Sequence, residues 1–345
     1  MRIHDLRLRL RALGAAPVHE ARVLRQWSRA LPQDAGRRRL DDWLPRPLRE
    51  ALPALQDELA GLARVESEHP GEDGSARLLV ALGDGRTVES VLLPREGVCV
   101  STQVGCAVGC TFCMTGRDGL LRQLGGAEIV AQVALARARR PVRKVVFMGM
   151  GEPAHNLDNV LEAIDVLGIE GGIGHKNLVF STVGDARVFE RLPQGRVKPA
   201  LALSLHTTKA DLRERLLPRA PRIDPATLVA WGDDYARATG YPMQVQWTLI
   251  EGVNDGDDEI DGLVRLLAGR HAILNMIPYN VVDGVDFRRP APEHAAGMAR
   301  TLHRRGVLTK LRRSAGQDVD AGCGQLRARS LEPAGQPVVV HRARA

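Results

Sequence analysis

The sequence lacks any long uninterrupted hydrophobic segment. No stretch approaches the roughly 18–20 apolar residues that a membrane-spanning helix requires. The first residues, MRIHDLRLRLRALG, carry charges throughout and contain no apolar block of the kind found in signal peptides. These two absences predict a cytoplasmic protein without a membrane partner. Aromatic residues make up only 3% of the chain, which argues against a single-strand binder built on stacked aromatic side chains.

Positive charge exceeds negative charge, with 48 Lys and Arg residues against 41 Asp and Glu residues and a net charge of +7. A basic chain suits a polyanionic partner, because Lys and Arg contacts to phosphate drive most nucleic-acid affinity. Many basic proteins bind no nucleic acid, so the charge alone leaves this question open.

Apolar segments alternate with amphipathic helical patterns between about residues 95 and 315. Several are nearly continuous apolar runs, which is typical of parallel strands covered on both faces. The predicted strands are residues 144–150, 178–182, 200–206, 243–250, 272–280 and 307–312. Strands that alternate with helices indicate βα units and a parallel sheet. About six units fit, so we expect an α/β fold with a partial (β/α)6 barrel, and a doubly wound sheet is the alternative.

The chain divides into four predicted parts. Residues 1–84 are a small N-terminal accessory domain, and residues 85–305 are the partial barrel. Residues 306–330 supply a C-terminal strand and a loop that contains Cys323. Residues 331–345 are a tail that we expect to be loosely ordered. Polar residues follow several predicted strands, which is where the active site of a β/α barrel lies.

The cysteines are clustered, and Cys106, Cys110 and Cys113 have the spacing C-x3-C-x2-C. Three such thiolates can hold a [4Fe–4S] cluster and leave one iron open for an external ligand, whereas a closed cluster takes four. One alternative is a zinc site that also uses Cys99, although its spacing fits poorly with the short paired ligands of structural zinc sites. Another alternative has Cys99 as the fourth ligand of an electron-transfer cluster.

Six further motifs occur between residues 99 and 325. They are CVSTQVGC at 99–106, FMGMGEP at 147–153, SLH at 204–206, GVND at 252–255, IPYN at 277–280 and DAGCGQ at 320–325. With the cysteine motif, they resemble the radical S-adenosylmethionine (SAM) superfamily and, within it, the RlmN/Cfr family of RNA adenosine methyltransferases. The resemblance covers residues 85–327. It implies a radical-SAM partial barrel with a C-terminal segment that carries the catalytic cysteine.

The resemblance also implies which residues hold the cofactors. Cys106, Cys110 and Cys113 would bind the cluster, and two molecules of SAM would be used in each turnover. The remaining residues implied at the SAM site are Gly151, Glu152, Ser181, Ser204, Leu205, His206 and Asn280.

Three residues take catalytic roles by the same resemblance. Cys323 would be methylated by the first SAM, and the second SAM would yield the radical that activates the S-methyl group for attack on adenine. Glu89 would accept the proton of the ring carbon. Cys99 would then attack the sulfur of Cys323, release the product and leave a transient disulfide. Without the resemblance, Glu89 is interpreted as a solvent-facing residue on a half-buried strand. A lone cysteine such as Cys323 is most often a small buried residue, but the flanking Gly322 and Gly324 indicate a flexible loop instead.

The expected product is an adenosine methylated at carbon 2 of 23S rRNA, with tRNA as a further candidate and carbon 8, the antibiotic-resistance activity, as the alternative. A flavodoxin or ferredoxin would supply electrons, and a monomer is expected. Basic residues flank the Cys323 loop and either bind RNA phosphates or form a solvated face. They are Arg304, Arg305, Lys310, Arg312 and Arg313 before the loop, and Arg327 and Arg329 after it. Rival interpretations are a radical-SAM activase or maturase and a zinc-stabilised RNA-binding module.

Overall fold

The structure is a computed structural model that describes residues 1–36 and 40–328. Three helices come first, six strands follow them, and helices then alternate with the remaining strands, with two helices in succession at one crossover. The helices are α1 (Ile3–Ala12), α2 (Pro17–Ser28), α3 (Arg46–Gly61), α4 (Gly126–Arg137), α5 (Leu157–Ile169), α6 (Ala186–Arg191), α7 (Ala210–Leu216), α8 (Pro225–Thr239), α9 (Asp257–Leu267) and α10 (Pro292–Arg304). The strands are β1 (Ala63–Pro70), β2 (Ala76–Leu82), β3 (Thr87–Leu93), β4 (Gly97–Cys99), β5 (Gln103–Gly105), β6 (Leu120–Gln123), β7 (Lys144–Phe147), β8 (Leu178–Thr182), β9 (Ala200–Ser204), β10 (Met243–Leu249), β11 (Ala272–Pro278) and β12 (Thr309–Leu311).

Ten strands form one sheet in the order β1-β2-β3-β4-β7-β8-β9-β10-β11-β12, and β5 pairs with β6 separately. The pairings from β1 to β4 are antiparallel, and all those from β4 to β12 are parallel. Helical crossovers connect the parallel strands in sequential order, which excludes a doubly wound sheet because that fold reverses its strand order. In the described part of the chain, no pairing joins β12 to β1. The predicted partial (β/α)6 barrel is confirmed.

The parallel strands are apolar because both of their faces are covered. Leu178, Val179 and Phe180 of β8 have no exposed surface, and Leu203 of β9 is equally buried. Helices α5 and α9 also agree with the sequence. Each contains the apolar residues that recur three and four positions apart, and most of these residues are buried. Burying these stripes against the sheet removes apolar surface from water, which is the main stabilising contribution of the fold.

Three predicted strands end two or three residues earlier than the sequence suggested, and β10 and β12 end one residue earlier. Strand β7 stops at Phe147, β9 at Ser204 and β11 at Pro278, and the apolar residues that follow them lie in loops. After β7 the chain packs so closely on the segment after β4 that a Cβ added at Gly149 would lie 2.8 Å from the backbone of Val100. The residues that follow the three strands form loops at the carboxyl ends of the barrel strands.

The N-terminal helices pack on the outside of the barrel against α4 and α5. Glu162 of α5 pairs with Arg2 and accepts the backbone N–H of Ile3 at 2.8 Å. Strands β2 and β3 pair on either side of residue 84, so the sheet runs across the predicted boundary there. Residues 331–345 of the predicted tail lie outside the described residues. Among the residues described, no helix has the length and apolar character needed to cross a membrane.

Candidate active site

The three clustered cysteines lie on the loop between β5 and β6 and line one cavity of about 150 Å³ at the carboxyl ends of the barrel strands. We call this the cluster cavity. Two glycines shape the loop, because Gly105 (φ 76°) and Gly109 (φ 66°) adopt a left-handed backbone that other residues rarely adopt. A Cβ at Gly105 would also clash with the carbonyl oxygen of Gly119. The loop can therefore turn back on itself and direct all three thiols inward.

The thiols have the surroundings expected of a cluster site. Burial raises the pKa of Cys106 to about 12 and raises the pKa of Cys110 and Cys113. A buried thiolate needs compensating positive charge, which iron would provide. The backbone N–H groups of Val108 and Gly109 act in the opposite direction and favour the Cys106 thiolate. Backbone N–H groups near sulfur are a known means of tuning iron–sulfur clusters.

The donor set fits a cluster better than a structural zinc site. A zinc site requires every sulfur to lie about 2.3 Å from one ion. Among the described residues, no three His, Cys, Asp or Glu side chains are arranged to hold a single metal ion. A cubane cluster does not require such convergence, since each thiolate binds a different iron. The donor set therefore fits a [4Fe–4S] cluster.

The GEP turn that follows β7 forms one wall of the cluster cavity. Gly151 has a φ of 103°, and the N–H of Glu152 donates to Gln103 Oε1 at 2.7 Å. The Glu152 carboxylate accepts the N–H groups of Ala154 at 3.1 Å and Val183 at 3.0 Å. Burial nevertheless raises the pKa of Glu152 to about 7. No described cation forms a direct ion pair with this carboxylate, although the charge of the buried Arg213 acts on it at longer range. A ligand ammonium group would supply a direct partner.

The ends of β8 and β9 contribute Ser181, Ser204 and His206 to the same cavity. His206 has a positive φ of 64°, and its Nδ1 accepts the N–H of Thr248 at 2.9 Å. Burial, and then the charge of Arg213, lower the pKa of His206 to about 3. His206 is therefore neutral at physiological pH, with its proton on Nε2. It can donate one hydrogen bond into the cavity but cannot act as a cation.

Cys323 lies where the cluster cavity meets a second cavity of about 290 Å³, and it lines both. Its loop is fastened to the cysteine loop by two hydrogen bonds. The N–H of Met114 donates to the carbonyl of Gly324 at 2.7 Å, and Thr115 Oγ1 donates to the carbonyl of Leu326 at 2.7 Å. Cys323 is accessible from the cavities, while the surrounding protein atoms raise its thiol pKa by desolvation.

The second cavity also contains Cys99, at the end of β4, and we call it the thiol cavity. Cys99 is 8% exposed, and burial, followed by the charge of Cys323, raises its pKa to about 12. All five cysteines are free. The structure therefore brings Cys99 and Cys323 to one cavity as separate thiols, and Cys99 does not line the cluster cavity.

Two of the predicted SAM residues do not line the cluster cavity. Leu205 is completely buried, and its N–H donates to the carbonyl of Gln246 at 3.1 Å. Asn280 instead holds the Cys323 loop, because its Nδ2 donates to the carbonyl of Cys323 at 3.0 Å and to Ser314 Oγ at 2.8 Å. Its Oδ1 accepts Gln317 Nε2 at 2.9 Å.

Glu89 is buried in β3 and lines neither cavity. Its carboxylate forms an ion pair with Arg77 of β2 and accepts the N–H groups of Arg327 at 2.7 Å and Ala328 at 3.1 Å. Arg77 also donates to the carbonyl of Val319 at 2.7 Å. Glu89 and Arg77 thus clamp the segment that carries Cys323, and the carboxylate is fully engaged in this arrangement.

The turn between β1 and β2 adds two more contacts to the same segment. Asp73 accepts the N–H of Gly316 at 3.1 Å, and Asp318 accepts the N–H of Glu72 at 3.0 Å. These hydrogen bonds join residues that are far apart in sequence, so no local pattern predicts them. The accessory region therefore helps to position the Cys323 loop.

Sequence reasoning also missed Arg213 of α7, which is 4% exposed. It donates to the carbonyl of Val183 behind the cluster cavity, whereas its Nε has no partner among the described residues. Burial lowers its pKa to about 10, although Cys110 and Glu152 act against this. Its helix, ADLRERL, has alternating charges, and nothing in that pattern distinguishes the buried arginine from its exposed neighbours.

Comparisons with known proteins agree with this geometry. The radical SAM superfamily model matches residues 100–266. A solved radical SAM methyltransferase from Sphaerobacter thermophilus has a TM-score of 0.81 and 34% identity, with 95% of this chain and 98% of that chain covered. A protein of Methylibium petroleiphilum named "Probable RNA methyltransferase" is 76% identical over 96% of this chain and 94% of its own length. One of Aromatoleum aromaticum with the same description is 74% identical over 98% and 96%.

The chain belongs to the radical SAM methyltransferases. The family recognised from the sequence motifs is thereby confirmed, and so are its cofactors, a [4Fe–4S] cluster and SAM. The match begins at Val100 and includes the three-cysteine loop, the GEP turn and the ends of β8 and β9. It stops before Cys323, so the clamp and the C-terminal loop of this methyltransferase lie outside the shared superfamily core.

The basic residues around the C-terminal loop of the methyltransferase do not form one patch. Lys310 is exposed on β12, and Arg327 binds Glu89 through its backbone. Arg304 and Arg305 lie at the end of α10, where Arg305 pairs with Asp261. Arg312 and Arg313 line the thiol cavity. Arg329 lies outside the described residues.

Proposed function

We propose that this enzyme transfers a methyl-derived carbon through Cys323 to a ring carbon of an adenosine in RNA. The target is carbon 2 of an adenosine of 23S rRNA, with tRNA as a second substrate. The RNA substrate is supported by the names of the highly similar relatives and by the net charge of +7. The observation that carries the proposal is that Cys323 borders both the cluster cavity and the thiol cavity.

Cys106, Cys110 and Cys113 would hold the cluster, and the walls of the same cavity would hold SAM. When bound, this pair supplies the radical that removes a hydrogen atom from the methylated thiol. The carboxylate of Glu152 suits the amino group of SAM, and the neutral His206 suits a neutral or anionic acceptor. Arg213 lies behind this wall and would stabilise negative charge in the cavity.

Cys323 would carry the carbon from one cavity to the other. Once that carbon is bonded to adenine, the adduct would still carry an unpaired electron. Glu89 would accept the ring proton, which requires Arg327 and Ala328 to leave its carboxylate. Loss of that proton together with one electron, equal to the electron supplied at the start of the turnover, would restore the aromatic ring. The thiolate of Cys99 would then attack the sulfur of Cys323. An S–S bond forms as the S–C bond breaks, and the released carbon takes up a proton to become the methyl group of the product.

The enzyme would work as a monomer in the cytoplasm and receive single electrons from a flavodoxin or a ferredoxin. The presence of two further thiols favours this reaction over an activase or maturase. Those enzymes use the same cluster chemistry without Cys99 and Cys323.

The test is to reconstitute the protein anaerobically, react it with unmethylated rRNA and tRNA, and identify the nucleosides by mass spectrometry. We expect 2-methyladenosine from the wild type. Cys323→Ala should bind the cluster and produce no methyladenosine, and Cys99→Ala should accumulate a covalent complex between RNA and protein. An 8-methyladenosine product would move the target to carbon 8. Methylation by Cys323→Ala would contradict the route through a methylated thiol.

A further inference from the structure

A third cavity, of about 350 Å³, lies at the amino-terminal ends of the barrel strands. Lys144 is the first residue of β7, Lys176 lies just before β8, and Pro242 lies just before β10. The guanidinium-bearing Arg312 follows β12 and lines the same cavity. We call this cavity the basic mouth. It is at the opposite end of the strands from the cluster cavity.

The basic mouth adjoins the thiol cavity. The two cavities share Lys144, Gln244, Asn275 and Arg312 as lining residues. In the pairing of β4 with β7, Lys144 lies opposite Gly97 and Cys99 lies two residues further along. Two residues of a strand span about 7 Å, which is a separation that one nucleotide can bridge between its base and its phosphate. A base at Cys99 would thus place its phosphate near the mouth.

The mouth carries positive charge without compensation from acidic groups. The described residues that line the basic mouth and the thiol cavity include no Asp or Glu. Within the described part of the chain, Lys144, Lys176 and Arg312 form no ion pair, whereas Lys209 elsewhere pairs with Asp258. Arg312 Nε is held by Asn275 Oδ1 at 2.9 Å, so the guanidinium is anchored at the cavity.

Lys144 is the most constrained of these cations. Partial burial, and then the positive charges of Arg312 and Lys310, lower its pKa below the usual value. Holding like charges together in a partly desolvated cavity is unfavourable until an anion binds. A phosphodiester group would offset both the repulsion and the desolvation.

We propose that the RNA strand reaches the thiol cavity from the amino-terminal end of the barrel, and that Lys144, Lys176 and Arg312 bind a phosphate that flanks the target nucleotide. This inference rests on the proposed RNA methyltransferase function. SAM and the cluster would then approach Cys323 from one side and RNA from the other. The arrangement differs from that of a closed β/α barrel, in which side chains fill the interior and ligands use the carboxyl ends alone.

The first experiment measures initial rates of methyladenosine formation with 23S rRNA transcribed in vitro, over a range of RNA and salt concentrations. The double variant Lys144→Gln/Lys176→Gln should raise the KM for RNA about tenfold and lower the slope of log affinity against log salt by about two. The charge-preserving double variant Lys144→Arg/Lys176→Arg should restore most of that slope. Arg265→Gln, which removes an exposed positive charge from α9, should behave as wild type.

A second experiment uses the wild-type holoenzyme and therefore does not depend on the folding of a variant. The chain has five lysines, which can be labelled with an amine-reactive reagent and quantified by mass spectrometry. Bound rRNA should reduce labelling of Lys144 and Lys176 at least fivefold, and leave Lys209 as an internal reference.

The outcomes separate the two proposals. If the wild type methylates no RNA, the proposed function fails. If it methylates RNA while the glutamine double variant keeps the wild-type KM and salt slope, the basic mouth is not the RNA site. Unchanged labelling of Lys144 and Lys176 in the presence of saturating rRNA would lead to the same conclusion.

Discussion

Replacing Arg77 with alanine should release the segment that carries Cys323 from the barrel. The Arg77 side chain is 12% exposed and that of its ion-pair partner Glu89 only 2%. Arg77 also donates to the carbonyl of Val319, so a single side chain joins β2, β3 and the C-terminal segment. Its removal leaves a buried carboxylate that only two backbone N–H groups compensate.

The size of the effect follows from these contacts. Removing one partner of a buried ion pair costs about 3–5 kcal/mol, and the two remaining N–H donors place Arg77→Ala near the lower limit. A loss of about 3 kcal/mol increases the undocked fraction of the segment roughly a hundredfold. Arg86→Ala is a matched control on the same hairpin, because Arg86 is 47% exposed and lies 3.8 Å from Asp84. That change should cost less than about 0.5 kcal/mol.

Two measurements test this prediction. Carboxypeptidase should digest Arg77→Ala rapidly past the clamped residues 316–328, and RNA methylation should fall at least tenfold while iron and sulfide content stay at wild-type levels. Arg86→Ala should match the wild type in both. If residues 316–328 of Arg77→Ala resist digestion and its turnover is unchanged, the clamp does not position Cys323.

Three further changes test the cysteine chemistry and the cluster cavity. Because the pKa of Cys99 is raised to about 12, its thiolate fraction grows tenfold for each pH unit between pH 7 and pH 9. The rate at which the RNA adduct is released in a single turnover should rise about as steeply. A rate that does not change with pH would exclude Cys99 as the attacking thiol. Gly105→Ala should reduce the iron bound per chain to half or less, because the added Cβ would clash with a backbone carbonyl. The control Gly85→Ala has a similar φ and open space around the added Cβ. It should cost only about 1 kcal/mol of backbone strain and keep the cluster. Arg213→Met should weaken SAM binding about tenfold, as measured by equilibrium dialysis. Arg215→Met, a change at an exposed arginine of the same helix, should leave the affinity for SAM unchanged. If both variants bind SAM equally well, Arg213 does not contribute to the SAM site.

The barrel and the cluster loop could be predicted because they depend on local patterns. Apolar runs at regular intervals give β7, β8 and β9, and the cysteine spacing gives the loop that lines the cluster cavity. The ends of the strands were harder to predict. Met148 and Leu205 follow β7 and β9 and are as apolar as strand residues, because the loops of a buried site also face protein. Hydrophobicity reports burial and does not distinguish the end of a strand from such a loop.

Contacts between distant parts of the chain could not be predicted at all. The ion pair of Glu89 with Arg77 lies within one hairpin, but its bonds to Arg327 and Ala328 depend on how the C-terminus returns to the sheet. The accessory region has a similar role, since Asp73 binds the backbone of Gly316. Such contacts follow from the completed fold, and a sequence read one segment at a time contains no signal for them.

The position of Cys99 and Cys323 on one cavity has a consequence for the resting form of the enzyme. A disulfide between them would close a loop that includes nearly the whole barrel, and a cross-link of that size stabilises a folded chain by about 5 kcal/mol in the entropic treatment. The spent enzyme would then be its most stable form. Turnover would stop after one product until a cellular thiol reopened the bond, so the redox state of the cell would set the pace of RNA methylation independently of the supply of SAM.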